Sequence, residues 1–410
     1  MPSFSLTMRI SLIYSYISSL LMLGVKKMKK LLVYLNLIII VSLFNYSAGA
    51  DDNDKNDVLA KSYANLVSHY YSAVHIKTYN MHKSIITFLE NPTEKTLQYA
   101  KNQWIEARKV YGITEAFRFY GGPIDGVNEY GEEGPEGLIN AWPLNEAYID
   151  YVVGNDKAGI INNLSYDVNE KTIIASNMSE DDADVSTGWH AIEFLLWGQD
   201  NSLERPGNRK ASDYVGTDIT KERRRTYLKQ TSNLLLKHID WLNEQWTPNG
   251  KGRVNFLAKS DPGGSILTGI ATLAGFELSS ERIATALDSG DPEDEHSCFS
   301  DQTHEDIRAN FNGIKNVYLG MGINSKMFSP SVAELLREKN PSLHKDIMAL
   351  LEKTSNSIDN ITIPFDKMLS EPKNGSGRMA AEETVSNLIV IAEYIKKAGN
   401  DLNWNVNISE

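Results

Sequence analysis

From Asp57 onward apolar residues recur every three or four positions, so the chain reads as a succession of amphipathic helices. Leu59, Tyr63, Leu66, Val67, Tyr70, Val74 and Ile85 make one stripe between Asp57 and Glu90. Asn91-Pro92-Thr93-Glu94 stops that helix and caps a second, expected to run to about Phe119 with Leu97, Ala100, Trp104, Ala107, Tyr111 and Thr114 inward. Gly121-Gly122-Pro123 ends it, and residues 121–139, rich in glycine and acids, read as a long loop. Pro143 opens a short helix through Asp150 and Tyr151, while residues 153–185 show no clear period. A helix ending at Gly198 follows, then a long one from about Asp218 to Trp246 with Leu228, Leu235, Ile239 and Leu242 inward. Thr247-Pro248-Asn249-Gly250-Lys251-Gly252 is a breaker cluster and the expected boundary between one domain at 57–248 and another at 253–400. Beyond it, helices are expected up to about Leu287, from Thr303 (with Asp306 resembling a capping box), from Pro330 and Pro341, and over 378–398. Strand alternation is absent. The expected fold is all-α, two helical bundles whose similar size suggests a duplication.

Composition adds a sign of charge. Of 410 residues, 41% are hydrophobic and 23% charged, with net charge −12, as in a soluble globular protein. The acidic balance argues against nucleic acid as a partner, because phosphate binding needs a basic face. Residues 1–50 look like a targeting segment. Lys26-Lys27-Met28-Lys29-Lys30 is a basic start, Leu31 to Phe44 an apolar run, and Ala48-Gly49-Ala50 a small-residue cleavage site. Met28 is a plausible true start, and export with cleavage near Ala50 is the expectation. Cys298 is the only cysteine, which excludes an intramolecular disulfide and leaves burial or a free thiol.

The candidate chemistry centres on His190 and Glu193, three residues apart in Gly188-Trp189-His190-Ala191-Ile192-Glu193-Phe194-Leu195-Leu196-Trp197-Gly198. An i, i+3 pair shares one helix face, and a helix apolar all round is normally buried. A buried carboxylate needs a cation, a metal or several donors. His190 and Glu193 are therefore candidate ligands for iron, zinc or manganese. A core hydrogen bond is the alternative. Neither H-E-x-x-H nor H-x-x-E-H is present, since Ala191 and Phe194 stand at the decisive places. Glu115 and Arg118 stand on the second helix and read either as an i, i+3 ion pair or as ligand contacts. A third candidate is the acidic segment Asp288–Asp301, with Asp294, His296 and Asp301; Glu277 and Glu281 on the preceding helix could face the same space. It reads equally as a solvated loop.

These segments together resemble the imelysin-like family, within it the iron-regulated protein A branch. The hallmark G-x-H-x-x-E falls on Gly188, His190 and Glu193. The similarity continues through Thr114–Asp125, Asn140–Asp150, Gly275–Leu278, Ser280–Arg282 and Glu293–Asp301. The resemblance implies two four-helix bundles with the motif near their interface, export to the periplasm or outer surface of a bacterium, and a link to iron uptake or regulation. The family also carries a metallopeptidase label. On this reading His190 and Glu193 bind a metal. Glu115, Arg118, Trp142, Asp150, Glu277, Asp294, His296 and Asp301 complete a site for a metal ion or small ligand, and outer-membrane or cell-surface uptake proteins are the expected partners. The competing readings are a metallopeptidase and an extracellular module whose Trp104, Trp142, Trp189 and Trp197 line a polysaccharide cleft.

Overall fold

A computed structural model describes residues 52–128 and 131–408; the targeting segment expected in residues 1–50 lies outside the described residues. Eight long helices carry the architecture. They are α1 (Asp52–Glu90), α2 (Glu94–Ile113), α3 (Gly188–Trp197), α4 (Ile219–Gln245), α5 (Pro262–Thr272), α6 (Thr303–Leu319), α7 (Pro341–Asp359) and α8 (Ser376–Asp401). No strand occurs among the described residues. None of the helices described is long and apolar enough to cross a membrane.

The first four helices pack together and so do the last four. α3 lies against α2 and α4, and α1 meets α4 through Ser72–Asn243 and His82–Ser232 hydrogen bonds, each 3.0 Å. In the second group α8 packs on α5 and α7, and α6 on α7. Residues 56–410 form one compact unit, within which these are two groups of helices. They share a seam, because α2 runs along α6.

Local chemistry explains most boundaries. Thr93 caps α2 by accepting from Thr96 N, and Thr96 returns the favour to the Thr93 amide. Asp218 caps α4 through Thr220 N. The breaker cluster at 247–250 ends α4 and a short helix restarts at Lys251.

Three expectations change. The second helix stops at Ile113 and tightens into a 3₁₀ turn, Thr114–Phe117. This rotates Glu115 off the face it would hold on a straight helix. The helix expected from Pro143 through Tyr151 shrinks to Glu146–Ile149. The capping box at α6 is absent, because Gln302 is the N-cap and its side chain makes no cap bond; the Asp306 carboxylate is used elsewhere. α5 runs on through wider π-helical turns, Leu273–Ala284, and a last α turn, Thr285–Ser289. Such turns are rare and recur at functional sites. Here they carry Glu277 and Arg282.

Candidate functional site

α3 is buried at all ten positions. Gly188 starts it at φ +88, and a Cβ there would meet Ile139 O at 2.5 Å. Only glycine suits that backbone and that approach, which explains the first letter of the motif. One turn on, His190 Nδ1 lies 2.9 Å from Glu193 Oε2, and neither residue is exposed. Glu193 Oε1 accepts from the Ser300 amide at 3.0 Å and the Ser300 hydroxyl at 2.6 Å. The Trp142 ring lies 4.8 Å from that of His190, and the half-buried indole forms one wall of the site.

The opposite wall is a second imidazole. His296 lies 4.8 Å from His190, ring to ring. Its Nδ1 is 2.9 Å from Asp306 Oδ2, which also accepts from Ser297 Oγ at 2.7 Å. Arg108, from α2, reaches between the rings. Its Nη2 is 3.4 Å from His190 Nε2, 3.1 Å from His296 Nδ1 and 3.0 Å from Asp306 Oδ2, while Nη1 bonds Asn140 Oδ1. Arginine is a donor only. The His190 nitrogen facing it is therefore the lone-pair nitrogen, and Nδ1 donates to Glu193. His296 Nδ1 faces both Arg108 and Asp306; with its proton directed to the Asp306 carboxylate, which only accepts, Arg108 has Nε2 as its acceptor at 3.5 Å. Each imidazole is thus oriented by a carboxylate with Nε2 left as acceptor, the arrangement that outer-shell carboxylates give to metal-binding histidines.

Electrostatics agree with neutral rings. Burial, reinforced by Arg108, holds His190 well below its usual range. Burial and Arg282 lower His296 to about 4. Burial raises Glu193 to about 8, against the donors of Ser300. Burial also works against ionised Asp306, but Arg108 and His296 outweigh it and hold that carboxyl low. Buried polar atoms without a partner include Asn140 Nδ2, Tyr111 Oη and Glu115 Oε1. Such atoms are rare in folded proteins and call for an explanation, an unseen ligand or water among them.

The other expected residues divide among separate clusters. Glu115 accepts from Arg118 Nη1 at 2.8 Å and Arg282 Nη2 at 2.6 Å, and Glu277 accepts from Arg282 at 2.7 Å. The Glu115–Arg118 pair therefore exists, but buried and shared with a third partner rather than half-exposed. Burial disfavours the Glu115 charge, yet the two guanidiniums bring the carboxyl down to about 2. The expected convergence of Glu115 on His190 does not occur by contact, because the 3₁₀ turn commits its bonded oxygen to the arginines. Asp150 is enclosed by Arg209 (2.7 Å) and Arg224 (2.6 and 2.9 Å); this saturated ion cluster braces the scaffold. Asp294 is half-buried on the turn Pro292–Asp294, outside the histidine cluster. Asp301 joins Asp200 and Asp366. Cys298 is buried, and burial followed by neighbouring acids pushes its thiol well up, away from thiolate reactivity.

On the sequence alone Asp306 reads as part of a cap, and Asn140, Ser300, Asp200 and Asp366 do not stand out. One signal was available for Arg108, an arginine within an otherwise apolar stripe. Nothing local marks the others.

The profile of the Imelysin family matches residues 67–392. Iron-regulated protein A from Synechococcus elongatus is 23% identical over 318 residues, covering 77% of this chain and 78% of the relative. A solved structure described as an iron-regulated protein A precursor from Parabacteroides distasonis superposes with a TM-score of 0.61 at 18% identity, over 84% of this chain and 95% of that one. An imelysin-like protein from Psychrobacter arcticum gives 0.59 at 14% identity, over 86% and 97%. At these identities the two structures speak for the fold.

Proposed function

This chain belongs to the Imelysin family, and from that premise we propose that it is an exported binding protein that takes up a metal ion, with iron the leading candidate, at its histidine pair. One observation carries the reading. Two neutral imidazoles, His190 and His296, are each held by a carboxylate and present their Nε2 acceptors beside one guanidinium. These nitrogens suit iron, zinc or manganese. Glu193 is then an orienting group rather than a ligand, since both of its oxygens are engaged by His190 and Ser300. The unpartnered Asn140 and Tyr111 groups support room for further ligand atoms. The name of the relatives, iron-regulated protein A, supports the connection with iron.

A bound metal would act here as a Lewis acid and anchor. Arg108, paired with Asp306, would hold the two rings apart and confront any anionic group brought in with the ion. Peptide hydrolysis has less support, because a catalytic zinc needs three protein ligands and a base. Among the described residues the histidine pair has no third ligand within coordinating reach.

Titration calorimetry of the full-length protein with Fe(II), Fe(III), Zn(II) and Mn(II) tests this. His190→Ala and His296→Ala should each weaken binding of at least one of these ions by tenfold or more. Equal affinity in wild type and both histidine variants removes the proposal.

A further inference from the structure

Apart from the histidine pair, the described residues contain one set of three ligand-type side chains close enough to share an ion: Asp200, Asp301 and Asp366, with one oxygen from each lying within 4.8 Å of the others. Carboxylate oxygens gathered that closely can ligate one hard cation such as Ca(II). Asp200 follows the end of α3, Asp301 lies in the acidic loop before α6, and Asp366 is on the short helix Phe365–Leu369. The three come from segments 65 or more residues apart in sequence, so the fold brings them together; they are not a run of surface acids.

Crowded carboxylates alone would not make a site. The second observation is Glu295. It is completely buried, and neither carboxylate oxygen has a hydrogen-bond partner in proper geometry. The groups that act on it after burial are Asp366, Thr303 and Asp301, so it borders the trio. Asp301 Oδ1 and Asp366 Oδ2 are buried without a partner as well, on residues 7% and 3% exposed. A buried unpaired carboxylate is among the most expensive groups a fold can hold. Here several share one space, and no arginine, lysine or histidine is among the groups that principally act on the three aspartates. The Asp150 cluster, with its two arginines, shows how this chain neutralises a buried acid when no guest is required.

Access is present too. A cavity of about 150 Å³ is bounded by Asp200, Asp366, Glu293 and Ser202, with room for waters to complete a coordination shell of six to eight oxygens.

We propose that Asp200, Asp301 and Asp366, with Glu295 beside them, form a site for a hard divalent cation, Ca(II) foremost, distinct from the histidine pair. All donors are carboxylate oxygens, which suit Ca(II) or Mn(II) over soft ions. The site stands on the loop that builds the histidine pair. Ser300 holds Glu193 and the next residue, Asp301, enters the acidic trio. The cation pins the loop whose neighbouring residues orient His190 and His296, so this site is structural support for the other.

Calcium separates the two sites, because imidazole contributes little to its binding. Full-length protein, stripped with chelator, is titrated with Ca(II) by calorimetry, and Tb(III) luminescence serves as a second reading. One saturable Ca(II) is expected. Asp301→Asn and Asp366→Asn should each weaken it by at least tenfold; asparagine also tolerates the left-handed backbone of Asp301 (φ 55). His190→Ala should leave Ca(II) affinity unchanged. Should Asp366→Asn fail to fold, Asp200→Asn at a half-buried position takes its place. Absence of saturable binding at millimolar Ca(II), or undiminished affinity in Asp301→Asn and its companion variant, overturns the proposal. Loss of Ca(II) binding in His190→Ala overturns the separateness of the sites. Failure of the histidine site with transition metals leaves this result untouched.

Discussion

Glu115 and Glu193 are both buried carboxylates, and their surroundings drive them in opposite directions. Glu193 meets two hydroxyl and amide donors and a neutral ring, so burial wins and its carboxyl rises to about 8. Glu115 meets two guanidiniums, which outweigh burial and bring it to about 2. A depressed carboxyl contributes stability above its unfolded value, near 4.5, and that contribution is lost as pH falls from about 4.5 to about 2. Glu115→Gln should therefore be less stable than wild type near pH 7, by on the order of 3 kcal/mol. The gap should close between about pH 4.5 and 2. Denaturant midpoints of both proteins across that range check it, and a pH-independent gap would mean that the ion cluster contributes nothing through Glu115.

Between elements, the seam of α2 on α6 decides what the site can contain. Arg108 on α2 reaches Asp306 on α6 because the helices lie close together. Gly313 permits that approach, since a Cβ there would lie 2.5 Å from Ile113 O and 3.1 Å from Ala116 Cβ. Glycine inside a helix ordinarily costs about 0.5–1 kcal/mol relative to alanine. At this position the steric clash, against a backbone oxygen that cannot rotate away, should exceed that gain and leave Gly313→Ala about 1–3 kcal/mol less stable. Urea melts of the variant test the sign; a stabilised Gly313→Ala would show that the seam has slack.

For the whole molecule, the breaker cluster at 247–250 is a turn between helices, and the two bundles are tied across their seam by buried ion pairs. Arg108–Asp306 and Arg282–Glu115 each join residues from opposite sides of that turn. Parting the bundles would expose unpaired charge on both. Unfolding in urea should accordingly be a single transition, with tryptophan fluorescence and far-UV circular dichroism coinciding. Six of the seven tryptophans precede residue 250, so fluorescence reports chiefly the first bundle and dichroism reports both. Two separated midpoints would show that the bundles fold independently.

The all-α fold, the long helices and the burial of α3 were legible in the sequence, because helical period and breakers act within a few residues. His190 with Glu193 was legible for the same reason, three residues being one turn. What became of that pair was not. Ser300, His296, Asp306 and Arg108 come to it from 82 to 116 residues away along the chain. The turn at Thr114–Phe117 diverts Glu115 to the arginines, although the sequence there continues a helical stripe. The aspartates at 200, 301 and 366 carry no local signal at all. Local sequence determines which turns wind and which faces are apolar, since those preferences rest on neighbours along the chain. Which charges meet in the interior is decided by helix packing, where a carboxylate takes its partner from whatever element the fold sets beside it.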